Sequence, residues 1–108
     1  MGQTLSPMTR DAVTVVGQLV ASERRRQRRT AADLAERAGI SRDTLHRVER
    51  GDPAVAIGTA LELLTLLRVP LFATDADGLA KQVATGRQML ALLSDRVRPD
   101  TRKPDDDF

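Results

Sequence analysis

A chain of 108 residues with no Cys, one His, two Phe and neither Trp nor Tyr has room for one domain with an appendage, its core built from Leu, Val, Ile and Ala. Such a core suits a helical bundle better than a sheet, and the lack of thiols excludes disulfides, sulfur-ligated zinc and a thiol nucleophile. Net charge is only +2 but uneven: between Glu23 and Arg50 nine Arg stand against five acidic residues, whereas the chain ends in Asp105, Asp106, Asp107 and Phe108. That asymmetry predicts a polyanion-facing surface joined to an acidic tail.

In chain order, residues 1–8 contain Gly2, Ser6 and Pro7 without periodicity and are expected to form a flexible arm. Thr9 is placed to cap a first helix reaching about Gln27, with Val13, Val16 and Val20 as its inward stripe, widened by Val15 and Leu19. The helix ends in Arg24, Arg25, Arg26, Arg28 and Arg29. Cations there offset the helix dipole as a solvated last turn, but the run also leads into the next helix N-terminus. Backbone N–H groups at Thr30 and Ala31 could receive a phosphate there, which favours Arg28 as a DNA-backbone contact.

The stretch Thr30 to Gly51 reads as two short helices around a tight turn. Thr30 caps the first, with Asp33 in its opening turn and Leu34, Ala35 and Ala38 on a shared buried face. Gly39 sits where the chain must reverse, and Ser41 caps a second helix with Leu45 and Val48 inward. Arg42, Asp43, His46 and Arg47 then face outward, as a major-groove probe requires.

After the Asp52-Pro53 turn, a fourth helix from about Ala56 to Arg68 carries Ile57, Ala60, Leu61, Leu63, Leu64, Leu66 and Leu67, so burial on more than one face is expected. Pro70 stops it, and Leu71 and Phe72 are expected to cover the core. The apolar stretch Ala60 to Ala73 is broken by Glu62, Arg68 and Pro70, and no basic segment followed by an apolar run opens the chain. Neither a membrane span nor a secretory signal is therefore expected, and cytoplasm is the default compartment.

Asp75-Ala-Asp77-Gly78 resembles the start of a calcium loop, but its twelfth position is Gly86, where a bidentate Glu is needed. It is read as capping for a fifth helix, Leu79 to about Val97, so no metal or other cofactor is expected. Leu79, Val83, Gly86, Leu90, Leu93 and Val97 form a short seam for packing on the bundle or pairing at a two-fold axis. From Arg98 on, dense charge and two Pro predict disorder until bound. The expected organisation is an arm at 1–8, a DNA-binding domain at 9–73, a C-terminal helix at 74–97 and a tail at 98–108.

Ala38-Gly-Ile-Ser-Arg-Asp-Thr-Leu-His-Arg-Val-Glu-Arg-Gly51 resembles the turn and recognition helix of the phage-repressor-like (XRE or Cro/CI) family. The likeness runs from about Val16 to Phe72, including Val16-Gly17, Val20 and Arg24 and the Ile57, Thr59, Leu63, Leu67 pattern. The resemblance implies an all-α, lambda-repressor-like helix-turn-helix bundle with a C-terminal helical extension and disordered acidic tail. It puts Arg42, Asp43 and Arg47 on base-reading positions, with His46 sharing their face. Ser41 and Thr44 fall near phosphate, where Arg50 is also assigned, and Arg24 and Glu49 match positions that pair across helices. Independently, Arg can fork onto guanine O6 and N7, and Asp can accept from the cytosine N4 amine. Two departures stand out: the family's usual Gln after the second helix's cap is Ala31, and the apolar residue before the cap is Arg29.

The Pro-containing basic segment ending in Asp105, Asp106, Asp107 and Phe108 also resembles HipB-type antitoxins of HipBA toxin–antitoxin modules. That likeness implies a homodimer that represses from palindromic operator DNA and binds a HipA-type toxin kinase through its tail. A solubilising tail on a stand-alone regulator, or a protein-binding adaptor, are the competing readings. Catalysis is not expected, because no phosphate-cradling Gly loop or triad spacing is present.

Overall fold

The computed structural model describes residues 3–96. They form α1 (Pro7–Arg26), α2 (Ala31–Ala38), α3 (Arg42–Glu49), α4 (Ile57–Leu66) and α5 (Ala76–Arg96). The chain divides into two compact units, Met1–Leu71 and Phe72–Phe108. The fold is all-α, with the lambda-repressor-like arrangement in the first unit and one further helix in the second.

In the first unit α1 packs on α3 and α4, and α2 packs on the same two helices. Val20, Leu34, Ala35, Leu45, Val48, Leu63, Leu64 and Leu67 make the core, and no polar or charged side chain among the described residues is buried with them. Aliphatic side chains suffice here because α1 and α3 approach at Gly17, where a Cβ would collide with the Val48 carbonyl oxygen and lie 3.0 Å from that of Glu49. Close backbone approach replaces the bulk an aromatic residue would otherwise supply.

All four helices of this unit stop the same way. A residue in the left-handed region follows each: Arg28 (φ 59), Gly39 (φ 71), Gly51 (φ 78) and Arg68 (φ 63). The next N–H then reaches back to the last turn, from Arg29 to the Arg24 carbonyl, Ile40 to Ala35, Asp52 to Arg47 and Val69 to Leu64, at 2.9–3.0 Å. This Schellman ending satisfies orphan carbonyls and reverses the chain in few residues, leaving only Gly39, Ile40 and Ser41 between α2 and α3.

Several sequence expectations need correction. Ser6, not Thr9, caps α1, its Oγ accepting from the Thr9 N–H at 3.3 Å. Pro7 takes the first helical position, where its missing N–H costs nothing, so Pro7 and Met8 are helical rather than part of an arm. Val15 and Leu19 do not widen the inward stripe but are 59% and 37% exposed, because Gly17 and Val20 occupy the contact with α3 and α4. Ile57 is 77% exposed at the start of α4, on the lip of an apolar groove of about 280 Å³ whose walls include Val13, Val16, Val48 and Val55. Leu71 packs against the core, whereas Phe72 begins the second unit and is 72% exposed.

In the second unit, α5 begins earlier than Leu79. Asp75 caps it, Oδ1 accepting from the Gly78 N–H at 2.9 Å, so Asp77 and Gly78 form its first turn. Among the described residues no group of three or more His, Cys, Asp or Glu is gathered as a metal would require. No described helix is long and apolar enough to cross a membrane. Along α5, Leu79 and Gly86 are half-buried, and Val83, Met89, Leu90, Leu92 and Leu93 are exposed. Val97 and the tail 98–108 lie outside the described residues.

The Gly17 contact makes a direct prediction. Gly17→Ala should destabilise the protein by about 1–3 kcal/mol, the usual cost of overpacking a tight contact. Gly58→Ala, where a Cβ meets nothing within 4 Å, should be neutral or stabilising by about 0.5 kcal/mol. Urea denaturation of both variants checks this.

Candidate nucleic-acid interface

The site is built on α3, an eight-residue helix held at both ends. At its N-terminus Ser41 Oγ accepts from the Thr44 N–H and donates to Thr44 Oγ1, both at 3.0 Å. The Thr44 hydroxyl proton is thereby left over for an outside acceptor. At the C-terminus Glu49 takes a bidentate hydrogen bond from Arg24 of α1, Nε to Oε2 at 2.7 Å and Nη2 to Oε1 at 3.1 Å. The remaining nitrogen, Nη1, donates to the Arg29 carbonyl at 3.1 Å. All three nitrogens of this guanidinium are therefore used inside the protein, and the Glu49 bonds hold it above its ordinary pKa.

Between these anchors α3 has two distinct faces. Leu45 and Val48 are buried, and opposite them Arg42, Asp43, His46 and Arg50 are exposed. Positions one, four and eight residues beyond Arg42 share one side of a helix, so three cationic or imidazole side chains and one carboxylate line a single ridge. Arg42 and Arg50 make no side-chain hydrogen bond or ion pair among the described residues. Arg47 differs from them. Its side chain is 36% exposed and its Nε donates to Asp52 Oδ2 at 2.9 Å. Asp52 Oδ1 accepts in turn from the Ala54 N–H at 2.8 Å.

The Ala54 N–H, and after it Arg47, holds the Asp52 carboxyl below its ordinary pKa. Its charged form is thus present throughout the usual carboxylate range and is lost only as pH falls through the lowered value. In sequence Asp52 marks a turn and nothing more, although Asp two residues before an N–H in a Pro-containing turn is a recognisable Asx-turn signal.

A second group of polar atoms lies where α1 meets α2. Thr30 is exposed and its Oγ1 accepts from the Asp33 N–H at 3.0 Å, capping α2. Ala31 is half-buried, and its N–H, among the first of α2, has no protein acceptor among the described residues. Arg28 is exposed beside it with φ 59, a conformation that L side chains adopt at a cost. Of the neighbouring cations, Arg26 is spoken for by Glu23, at 2.6 Å, and Arg37 by Asp33, at 3.3 Å. Gln27 donates from Nε2 to the Leu67 carbonyl at 2.8 Å and fastens the end of α1 to the end of α4. The structure thus joins Arg24 with Glu49 and Ser41 with Thr44, and Arg42, His46 and Arg50 on the surface of α3 have no side-chain partner among the described residues. Asp105, Asp106, Asp107 and Phe108 lie outside the described residues.

Two short helices joined by a three-residue turn, the second capped and turned outward, define a helix-turn-helix protein. Residues 15–76 match the helix-turn-helix domain family, and the chain belongs to it. Comparison with curated proteins and with solved structures found no match.

Arg28 separates stability from binding. Arg28→Gly should relax the left-handed corner and raise stability by up to about 1 kcal/mol, since the conformation costs a non-Gly residue roughly that much. The same change should weaken binding to any duplex. Thermal unfolding and a fluorescence-anisotropy titration read the two effects independently, and a lowered melting midpoint contradicts the first.

Proposed function

We propose that the chain is a sequence-specific transcriptional regulator of the XRE or Cro/CI type that binds double-stranded operator DNA. The exposed ridge of α3 carries the reading: Arg42, Asp43 and His46 project from it, the half-buried Arg47 lies beside them, and the opposite face of the helix is locked in the core. In this reading α3 enters the major groove, Arg42 and Arg47 fork onto guanines, and Asp43 accepts from a cytosine amine. Ser41 and Thr44 at the start of the helix and Arg50 at the far end of the ridge meet phosphates. Thr30, the Ala31 N–H and Arg28 offer a second phosphate contact at the start of α2. The regulator works as a homodimer on a palindrome with half-sites about one helical turn apart. The exposed apolar residues Val83, Leu90 and Leu93 of α5 supply a surface for that pairing.

A narrower version makes the protein an antitoxin that also binds a HipA-type kinase. Its support is the basic, Pro-containing terminal segment ending in Asp105-Asp106-Asp107-Phe108, set behind a short helical extension. A kinase-sized protein that copurifies from native cells, and is lost when those four residues are deleted, distinguishes the antitoxin from the stand-alone regulator. Binding, not catalysis, is the activity proposed in either case.

The reading predicts different losses at different arginines. Arg42→Ala should relax one base preference, at about 1–3 kcal/mol of discrimination. Arg28→Ala should weaken all sequences alike and reduce the slope of log affinity against log salt by about one. Titrations on a selected duplex and its single-base variants at several salt concentrations read both, and equal binding of wild type to unrelated duplexes at moderate salt sinks the proposal.

A further inference from the structure

We propose that Asp52 is a positioning residue that aims Arg47 at a guanine in the major groove. The inference rests on the DNA-reading function above and names a specificity determinant outside the recognition helix. The Asp52 carboxylate is fixed without help from the Arg47 side chain: Oδ1 accepts from the Ala54 N–H at 2.8 Å, and the Asp52 backbone N–H donates to the Arg47 backbone carbonyl at 3.0 Å. It is a prebuilt acceptor at the mouth of the turn that ends α3.

The geometry of the contact separates aiming from sequestration. Asp52 takes only Nε of Arg47, at 2.9 Å. Among the described residues neither Nη1 nor Nη2 donates to a protein acceptor, so the end-on edge that matches guanine O6 and N7 remains open. Arg24 shows the contrary use of the same chemistry. Its Nε and Nη2 fork onto Glu49 and its Nη1 goes to a carbonyl, so every nitrogen is committed inside the protein and no open edge is presented to a ligand. Arg47 is also 36% exposed, against 12% for Arg24. A guanidinium held at Nε has fewer rotamers to lose on meeting a base, and the neutralising arginine offsets the repulsion between Asp52 and DNA phosphates.

The test selects duplexes from a randomised pool with the full chain as wild type, Asp52→Asn, Arg47→Ala and the double variant. Asn keeps one acceptor, for either the Ala54 N–H or Arg47 but not both, and Asp52→Ser offers a second substitution that retains an acceptor for the turn. Wild type should select a guanine at one pair of each half-site, and Arg47→Ala should lose it. Asp52→Asn and Asp52→Ser should relax the guanine preference at that same pair by about tenfold, within the range one bidentate arginine contact supplies. Other pairs and the melting midpoint should stay unchanged, and Asp52→Asn should add nothing when Arg47 is already Ala. Unaltered preference in the Asp52 variants, a change at another pair, or uniformly tighter binding of every duplex overturns the role of Asp52. Failure of wild type to select any sequence overturns the DNA-reading function beneath it.

Discussion

The crossing of α1 over α3 is the constraint on which the rest of this structure depends. It is pinned at two points. Gly17 lets the α1 backbone close onto the carbonyls of Val48 and Glu49, and two turns of helix further on Arg24 grips the Glu49 carboxylate with two hydrogen bonds. The side chains of that pair are only 12% and 8% exposed, so removing either partner would strand a largely buried charge at a cost of roughly 3–5 kcal/mol. An eight-residue helix has little stability of its own. Held this way, α3 keeps a fixed azimuth, with Leu45 and Val48 inward and the ridge beginning at Arg42 outward.

The same economy runs through the corners. Four Schellman endings close the four helices of the first unit, two at Gly and two at Arg. Gly39 and Gly51 take the left-handed conformation without penalty, which suits corners that only need to turn. Arg28 and Arg68 take it at a cost. Arg28 is also exposed at the start of α2, and it is proposed above to meet phosphate together with the Ala31 N–H.

Much of this was legible in the sequence because it depends on short-range chemistry. Thr30, Gly39 and Ser41 mark the helix-turn-helix corners through their own caps and φ, and the spacing of Leu34, Leu45 and Val48 marks its buried side. What was not legible depends on where helices meet. Val15 and Leu19 fit an inward stripe by period alone, yet α3 and α4 approach α1 on the side of Gly17 and Val20 and leave them exposed. Thr9 suits a cap position as well as Ser6 does by residue type, and it is Pro7 at the first helical position that makes Ser6 the cap. On the recognition face, Arg42 and Arg47 read alike in sequence. The fold of the Asp52 turn is what shows Arg47 held, while Arg42 has no side-chain partner among the described residues.

The central claim is that the outward ridge of α3 lies in the major groove. Methylation interference on a selected duplex addresses it most directly, because dimethyl sulfate marks guanine N7 in the major groove and adenine N3 in the minor groove. The account predicts that methylation at guanine N7 within each half-site blocks binding, and that Arg42→Ala removes the interference at one of those guanines. Interference confined to adenine N3, or none at any guanine, contradicts it.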